Sequence, residues 1–288
     1  VMTDKKPLSD WLIVSDIDGT LNNKLRQLPE RNRLAIERFV AEGGHFTLAS
    51  GRNPQSMERH FRSLPIAGTP AVVINGAGIY DFSKNEMVFF SPMSDEGMRL
   101  AVEAAKKFPL VDVIVVAKDT IYITGTGWFG KLFVSADHLD HSHIRNIDDV
   151  PKKDWGKVIF SGLPTDIKRV EKYFCSLTDP DITMMSSSIA SFEILARNTH
   201  KGTAVLKLAE LLGIDKSHTG AIGDYFNDYD MLKSVGVPAC CGQAPKEMKK
   251  IAQFVACHCN KGAVADFIEY IEKTAGHGGA EARRASWH

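Results

Sequence analysis

Two aspartates two residues apart, Asp16 and Asp18, directly follow the apolar run at residues 11–14. We expect that run to form a buried strand, so that both carboxylates lie at its carboxyl end. One carboxylate there can attack phosphorus while the other handles the proton of the leaving group. Gly19 and Thr20 allow a tight turn and offer backbone N–H groups to an anion. The same residues alone also fit an acidic turn or a calcium loop, but their position after a strand favours catalysis.

Three further segments carry groups that can hold phosphate or metal. Ser50 ends a second predicted strand, where its hydroxyl can bind phosphate or else cap a helix. Lys201 precedes a predicted helix, where a cation and free N–H groups can hold an anion, although a lone lysine there is usually solvated. Asp224 and Asp228 follow a predicted strand, and carboxylate ligands of this kind suit Mg²⁺.

The first 80 residues alternate short apolar strands with amphipathic helices. Strands are predicted at residues 12–15, 45–49 and 71–74, and helices at 29–42 and 54–63. Short connections between such elements predict a parallel sheet covered on both faces. Because crossovers are right-handed, the carboxyl ends of its strands meet at one edge, where α/β sheets bind ligands.

From residue 82 the pattern changes to hairpin-like strands with fewer helices. Strands are predicted at 87–90, 111–117, 121–123, 157–161, 182–185 and 192–196, with helices at 95–107 and 166–177. The α/β alternation returns with a helix at 203–212, a strand at 219–222, a helix at 228–235, a strand at 254–256 and a helix at 263–274. We therefore predict an α/β fold whose doubly wound, Rossmann-like parallel sheet is built from residues 1–82 and 197–275. A mainly antiparallel α+β domain at 83–196 is inserted, and residues 276–288 form a disordered tail.

In this order and context the motifs resemble the haloacid dehalogenase superfamily, specifically its Cof-type phosphatases. The matching segments are Asp-x-Asp-Gly-Thr-Leu from Asp16, Ser50-Gly51-Arg52, Asn75-Gly76-Ala77, Lys201-Gly202 and Gly223-Asp224-x-x-Asn227-Asp228. The resemblance covers nearly the whole chain, with the insertion in its middle. It implies that the inserted domain is a cap that closes over the site and selects the leaving group.

The resemblance also implies a role for each matching residue. Asp16 would be the nucleophile that forms an aspartyl-phosphate, and Asp18 the general acid and base. The transferring phosphoryl group would be held by Ser50, Gly51, Lys201 and Asn227. Mg²⁺ would be bound by Asp16, the Asp18 backbone carbonyl, Asp224 and Asp228. Substrate or cap contacts are expected at Arg52, Asn75 and Gly76, with a structural salt bridge as the alternative for Arg52.

Composition excludes some other classes. The chain has 288 residues, 35 basic and 35 acidic, so no net positive charge is available to hold nucleic acid or an anionic membrane. No apolar run approaches the length of a membrane span, and we expect a cytoplasmic protein. The five cysteines lack disulfide-framework spacing and agree with a reducing compartment. The residues His138, His141 and His143 could form a metal site, but we favour the interpretation that they lie in a solvated loop.

The leading hypothesis is a Mg²⁺-dependent phosphatase that acts on small phosphate monoesters, among which sugar phosphates are the favoured class. A phosphomutase would use the same aspartyl-phosphate but deliver it to a second hydroxyl. A receiver-like signalling domain is a further alternative. Such domains have neither a second carboxylate like Asp18 nor a large insertion, so both features argue against it. A non-catalytic phosphate-binding protein would not need every catalytic position filled. The expected partner is a small phosphorylated metabolite, and we expect the chain to be a monomer or a homodimer.

Overall fold

A computed structural model describes residues 8–66, 68–125, 128–137 and 139–276. The described strands are Leu12–Ser15 (β1), His45–Leu48 (β2), Ala71–Val73 (β3), Gly78–Asp81 (β4), Glu86–Phe90 (β5), Asp112–Ala117 (β6), Ile121–Thr124 (β7), Ser142–His143 (β8), Trp155–Ser161 (β9), Ile182–Ser188 (β10), Ser191–Ala196 (β11), Thr219–Gly223 (β12), Val237–Cys240 (β13) and Phe254–Val255 (β14). The described α-helices are Glu30–Ala41 (α1), Pro54–Arg62 (α2), Asp95–Lys107 (α3), Trp128–Asp137 (α4), Pro164–Cys175 (α5), Lys201–Leu212 (α6), Tyr229–Ser234 (α7), Lys246–Ile251 (α8) and Ala263–Gly276 (α9).

The central sheet has five parallel strands in the order β14-β13-β12-β1-β2. In this sheet β1 lies between β12 and β2, with Ile13 in register with Gly220 and Phe46. A bridge between Ala49 and Val72 continues the sheet into the antiparallel strands β3, β4 and β5. The carboxyl ends of β1, β2 and β12 therefore lie at one edge, as parallel pairing requires.

Helices cover both faces of the central sheet. Ile13 belongs to an apolar cluster that contains Phe39 of α1 and Phe267 of α9. Its neighbour Val14 belongs to a second cluster with Leu208 of α6, because successive strand side chains point to opposite faces. The predicted doubly wound parallel core is thus confirmed.

The inserted sheet has six strands in the order β10-β11-β9-β6-β7-β8. All of its pairs are antiparallel except β7 with β8. One face packs against α3 and α5, where Val158 and Phe160 share a cluster with Met98 and Phe174. Ile159 lies on the other face and joins the apolar cluster of the central domain. The predicted α+β insertion is therefore present. Its helices do not all lie on one face, however, because Gly130 of α4 lies directly against Ile123, which belongs to the same cluster as Ile159. The expectation of helices on one face alone is wrong. We call this unit the cap.

The predicted boundary between residues 82 and 83 falls within a hairpin. Strand β4, which the sequence did not predict, pairs antiparallel with β5, and Ile79 lies opposite Phe89. The strand predicted at 87–90 therefore extends the central sheet and does not join the cap sheet. We propose that the cap begins after Phe90. Of the predicted tail, Gly276 ends α9 and residues 277–288 lie outside the described residues.

None of the α-helices in the described part of the chain is both long and apolar enough to cross a bilayer.

Candidate active site

Asp16 is the first residue after β1, at the carboxyl edge of the central sheet. Its N–H donates to the Ile222 carbonyl at 3.0 Å, and its own carbonyl accepts from the Leu21 N–H at 3.2 Å. The turn between them uses Gly19 at φ +81°, and a Cβ there would lie 2.5 Å from Asp224 Oδ2. Only glycine fits this turn, which brings the β1 loop against Asp224.

The two aspartates of this loop have different surroundings. Asp16 is 6 % exposed, whereas the Asp18 side chain is 51 % exposed. Arg52 Nη2 donates to Asp18 Oδ2 at 2.9 Å, and Arg52 Nη1 donates to Ser56 Oγ at 2.9 Å. The salt bridge weighed for Arg52 is therefore present, and it holds the Asp18 carboxylate in place.

Three carboxylates converge beneath this loop. Asp16, Asp224 and Asp228 each offer an oxygen, and these atoms lie within 4.8 Å of one another. Asp224 follows β12, where Thr20 Oγ1 donates to its Oδ1 at 3.3 Å and its own N–H donates to Asp228 Oδ2 at 3.1 Å. In the described parts of the chain, this is the one cluster of three acidic, histidine or cysteine side chains close enough to share an ion. An oxygen-only donor set of this kind fits Mg²⁺.

Lys201 lies between two of these carboxylates. Its Nζ donates to Asp16 Oδ1 and to Asp228 Oδ1, both at 2.6 Å, and the residue is 1 % exposed. It is the first residue of α6, which His200 caps by accepting from the Thr203 N–H at 3.3 Å. The solvated alternative for this lysine is therefore wrong.

The charges of this cluster do not balance. Burial, together with Asp228, raises the pKa of Asp16 to about 8 even though Lys201 opposes the shift. Burial and Asp228 also raise the pKa of Asp224 to about 6. Burial alone lowers the pKa of Lys201, but the Asp16 and Asp228 carboxylates outweigh it and hold that pKa above its usual range. Lys201 is thus charged at neutral pH, and the cluster still lacks positive charge, a condition that a divalent cation would meet.

A cavity of about 810 Å³ opens over these groups, between the central sheet and the cap. From the central domain it is lined by Asp16, Asp18, Ser50, Gly51, Arg52, Asn53, Ser56, Asn75, Asp224, Tyr225 and Asn227. From the cap it is lined by Val116, Ile121, Phe129, Leu139, Lys157, Ser161, Met185, Ser187, Ala190, Ser191 and Glu193. The cavity therefore joins the carboxylate cluster to a cap wall that mixes apolar and polar side chains.

Of the residues expected to hold phosphate, Ser50, Gly51 and Asn227 line this cavity, whereas the buried Lys201 lies behind the lining residue Asp16. Ser50 Oγ accepts from the Arg52 N–H at 3.3 Å. The following helix, α2, is capped by Asn53, whose side chain accepts from the Ser56 N–H, so Ser50 is not the cap of that helix. Asn227 lies in a 3-10 turn directly before α7 and faces the same space.

Asn75 and Gly76, expected at substrate or cap, differ in what they contact. Asn75 Nδ2 donates to Glu193 Oε2 of the cap at 2.8 Å. Gly76 has φ +99° and lies directly against the His200 backbone, so it contacts the start of α6 in the central domain. The structure therefore brings Asn75 to the cap and Gly76 to the helix that carries Lys201.

The model of the haloacid dehalogenase-like hydrolase family matches residues 13–268 of the chain. The chain belongs to this family. It is 28 % identical over 276 residues to the putative phosphatase YkrA of Bacillus subtilis (strain 168), covering 92 % of this chain and 97 % of YkrA. The family resemblance predicted from the motifs is thus confirmed, and the protein is a hydrolase.

Solved structures share the same fold. A haloacid dehalogenase-like hydrolase from Bacteroides thetaiotaomicron superposes with a TM-score of 0.80 at 23 % identity, over 91 % of this chain and 99 % of that one. The sugar phosphatase BT4131, of HAD subclass IIB, superposes with a TM-score of 0.76 at 19 % identity. The match covers 91 % of this chain and 99 % of BT4131. Both matches run through the central sheet and the cap, so the arrangement of an insertion within a parallel core is shared.

Sequence reasoning missed three polar side chains of this hydrolase. Lys157 of β9 and Glu193 of β11 are buried and paired, with Nζ and Oε2 3.0 Å apart. Gln243 Nε2 donates to the Gly19 carbonyl at 2.6 Å and supports the β1 loop. Lys157 and Glu193 each interrupt an apolar strand sequence, and a charge at such a position is a signal that could have identified them.

The histidine cluster is only partly described. His138 lies outside the described residues. His141 is exposed, and its Nδ1 lies 3.0 Å from the Leu139 carbonyl. The neighbouring Asp140 Oδ2 accepts from Gln55 Nε2 at 3.0 Å and so links the cap to α2. His143 is exposed but lies in β8, paired with Ile123, so the loop part of the interpretation is wrong for this residue. Solvation of the whole cluster stays a prediction.

Proposed function

We propose that this hydrolase is a Mg²⁺-dependent phosphatase that cleaves small phosphate monoesters through an aspartyl-phosphate on Asp16. The observation that carries the proposal is the buried Lys201, which is hydrogen-bonded to Asp228 and to Asp16, a residue that lines the cavity. A phosphate dianion cannot approach a carboxylate unless positive charge offsets the repulsion. Lys201 supplies such a charge beside the proposed nucleophile.

The proposed reaction has two steps that regenerate the enzyme. In the first, an Asp16 oxygen attacks phosphorus, the bond from phosphorus to the leaving oxygen breaks, and Asp18 gives that oxygen a proton. In the second, water attacks the phosphorus of the aspartyl-phosphate, and the bond from phosphorus to the Asp16 oxygen breaks. Asp18 takes the proton of the water, and inorganic phosphate leaves. The half-exposed Asp18, oriented by Arg52, lies at the cavity where these protons move.

Mg²⁺ would be held by Asp16, Asp224, Asp228 and the Asp18 carbonyl, as the family resemblance implies. The oxygen-only donors within 4.8 Å of one another and the shortage of positive charge support this assignment. When bound, the ion would neutralise phosphoryl charge and orient the group for in-line attack. Ser50, Gly51 and Asn227, which line the same cavity, would hold phosphoryl oxygens by hydrogen bonds.

Sugar phosphates are the proposed substrate class. The cap wall offers Ser161, Ser187 and Ser191 beside apolar side chains, a mixture that suits a polyhydroxylated leaving group with a carbon skeleton. The similar fold of the sugar phosphatase BT4131 supports the same class.

The direct test is phosphate release from a broad panel of phosphorylated metabolites, with Mg²⁺ and with excess chelator. Asp16→Asn is the inactive control, and Asp119→Asn in an exposed cap turn is the matched control that keeps activity. We expect Mg²⁺-dependent release concentrated on a few sugar phosphates. Release that persists unchanged in Asp16→Asn would refute the nucleophile, and no release from any compound would refute the phosphatase.

A further inference from the structure

The cap contains a buried ion pair that faces the central domain. The Lys157 and Glu193 side chains are 3 % and 7 % exposed, with Nζ and Oε2 3.0 Å apart. Side chains alternate along a strand, so Lys157 and Ile159 lie on one face of β9. Val158 lies on the other face, which packs against α3 and α5. The pair therefore lies on the side of the cap sheet opposite α3 and α5.

Each member of the pair contacts a different loop of the central domain. Lys157 Nζ donates to the Gly51 carbonyl at 3.0 Å. Glu193 Oε2 accepts from Asn75 Nδ2 at 2.8 Å. A desolvated charge is tolerated only where its hydrogen bonds are complete, so seating the cap requires both loops to be in place.

The two loops are joined to each other by their backbones. The Asn75 N–H donates to the Ser50 carbonyl at 3.0 Å, and the Ile74 N–H donates to the Arg52 carbonyl at 2.8 Å. Ile74 and Asn75 both have φ +53°, a conformation unfavourable for residues with a Cβ and especially for β-branched isoleucine. A turn of this kind persists only when its surroundings fix it. One of the contacts that hold this turn is the hydrogen bond from Asn75 to Glu193 of the cap pair.

We propose that Lys157 and Glu193 are positioning residues that fix the 50–52 loop and the 74–76 turn when the cap is closed. The inference rests on the proposed function, which assigns Ser50 and Gly51 to the phosphoryl group. Because the pair acts through the loops, its loss affects every substrate alike. Cap side chains that contact the leaving group would instead discriminate between substrates.

The test compares Lys157→Met with Gln55→Ala, a control that removes a polar contact between cap and core at the exposed Asp140. Kinetics use a sugar phosphate and p-nitrophenyl phosphate, and hydrogen exchange is followed at the 50–52 and 74–75 amides. We expect Lys157→Met to lower kcat/KM about 10- to 100-fold by a similar factor on both substrates, since small misplacements of reacting groups have such effects. We expect the loop amides to exchange at least about tenfold faster, as local opening becomes easier. The control should change neither quantity.

Three results would overturn the proposal. A loss on the sugar phosphate alone would make Lys157 a leaving-group contact. A lower melting temperature with unchanged kinetics and loop exchange would make the pair merely structural. The double variant Lys157→Met/Glu193→Gln, which leaves no unpaired charge, should keep the kinetic loss, and wild-type kinetics in it would also overturn the proposal. If the wild-type protein releases no phosphate, the proposed function fails, but the exchange measurement still decides whether the pair fixes the loops.

Discussion

Lys201→Met removes the ammonium that lies between two buried carboxylates. The lysine side chain is 0 % exposed, and its partners Asp16 and Asp228 are 8 % and 0 % exposed. Breaking a buried pair by removing one partner costs about 3–5 kcal/mol, because the remaining charge is left uncompensated. We therefore expect the free energy of unfolding at pH 8, in chelator, to fall by that amount. Turnover should fall at least about 100-fold, because the proposed function assigns to Lys201 the stabilisation of phosphoryl charge.

Lys207→Met is the matched control, because Lys207 lies in the same helix. Its Nζ is 3.0 Å from Glu210 Oε2, but the two side chains are 37 % and 69 % exposed. An exposed pair of this kind contributes about 1 kcal/mol or less. Urea unfolding of both variants and of the wild type gives the difference directly.

The pH dependence of the Lys201→Met loss has a definite sign. Lys201 opposes the rise in the pKa of Asp16, so its removal raises that pKa further. A carboxyl whose pKa is higher in the folded than in the unfolded state binds more protons when folded, so its contribution to stability falls as pH rises. The loss in Lys201→Met should therefore be larger at pH 8 than at pH 5. A loss at pH 8 no greater than that of Lys207→Met would refute the assigned charge balance.

Three further outcomes are expected. Asp16→Asn should abolish phosphate release while circular dichroism and melting temperature stay near wild type, because the amide can still accept from Lys201; residual turnover at the wild-type rate would contradict it. Asp18→Asn should lose far more rate on a sugar phosphate than on p-nitrophenyl phosphate, whose leaving group needs no proton, and equal losses would exclude Asp18 as the general acid. In chelator, the melting temperature should fall as pH rises from 5 to 8, because the pKa values of Asp16 and Asp224 are raised to about 8 and about 6. Added Mg²⁺ should then raise it more at pH 8 than at pH 5, and a shift independent of pH would argue against these ligands.

The strands that carry the site could be predicted because they are continuous apolar runs that end in polar residues. Strand β1 has the predicted bounds, and β12 extends the predicted strand by one residue, to Gly223. Parallel pairing then fixes which loops meet at the edge of the sheet. The positions of Asp16 and Asp224 therefore follow from local pattern together with topology.

Elements held by distant contacts could not be predicted. Helix α4 has its first N–H groups bonded to Asp112, whose Oδ2 accepts from Phe129 at 2.7 Å and from Gly130 at 3.2 Å. That acceptor lies 17 residues before Phe129, so no local capping residue marks the helix start. Strand β13 was missed because it has four residues and contains Pro238, which argues against a strand within a sheet.

The burial of Lys201 could not be derived from its neighbours in sequence. Its two partners, Asp16 and Asp228, are 185 and 27 residues away along the chain. Its helix starts with His200 as the capping residue, a weaker signal than serine or aspartate, and the predicted helix therefore began two residues late. The cap contacts of Lys157 and Glu193 depend on packing between two units and are equally non-local.

The charge balance around the cavity assigns different tasks to the central domain and the cap. Four of the charged side chains there form two ion pairs without net charge, Asp18 with Arg52 and Lys157 with Glu193. What remains is Lys201 with three carboxylates. When all three are ionised, as they are above the raised pKa of Asp16, three negative charges against one positive leave two negative charges. A phosphate dianion would be repelled there, and one divalent cation would remove the excess. The buried pair of the cap adds no net charge to the cavity. Phosphate binding should therefore depend on Lys201 and the cation, whereas the cap contributes the geometry of the loops.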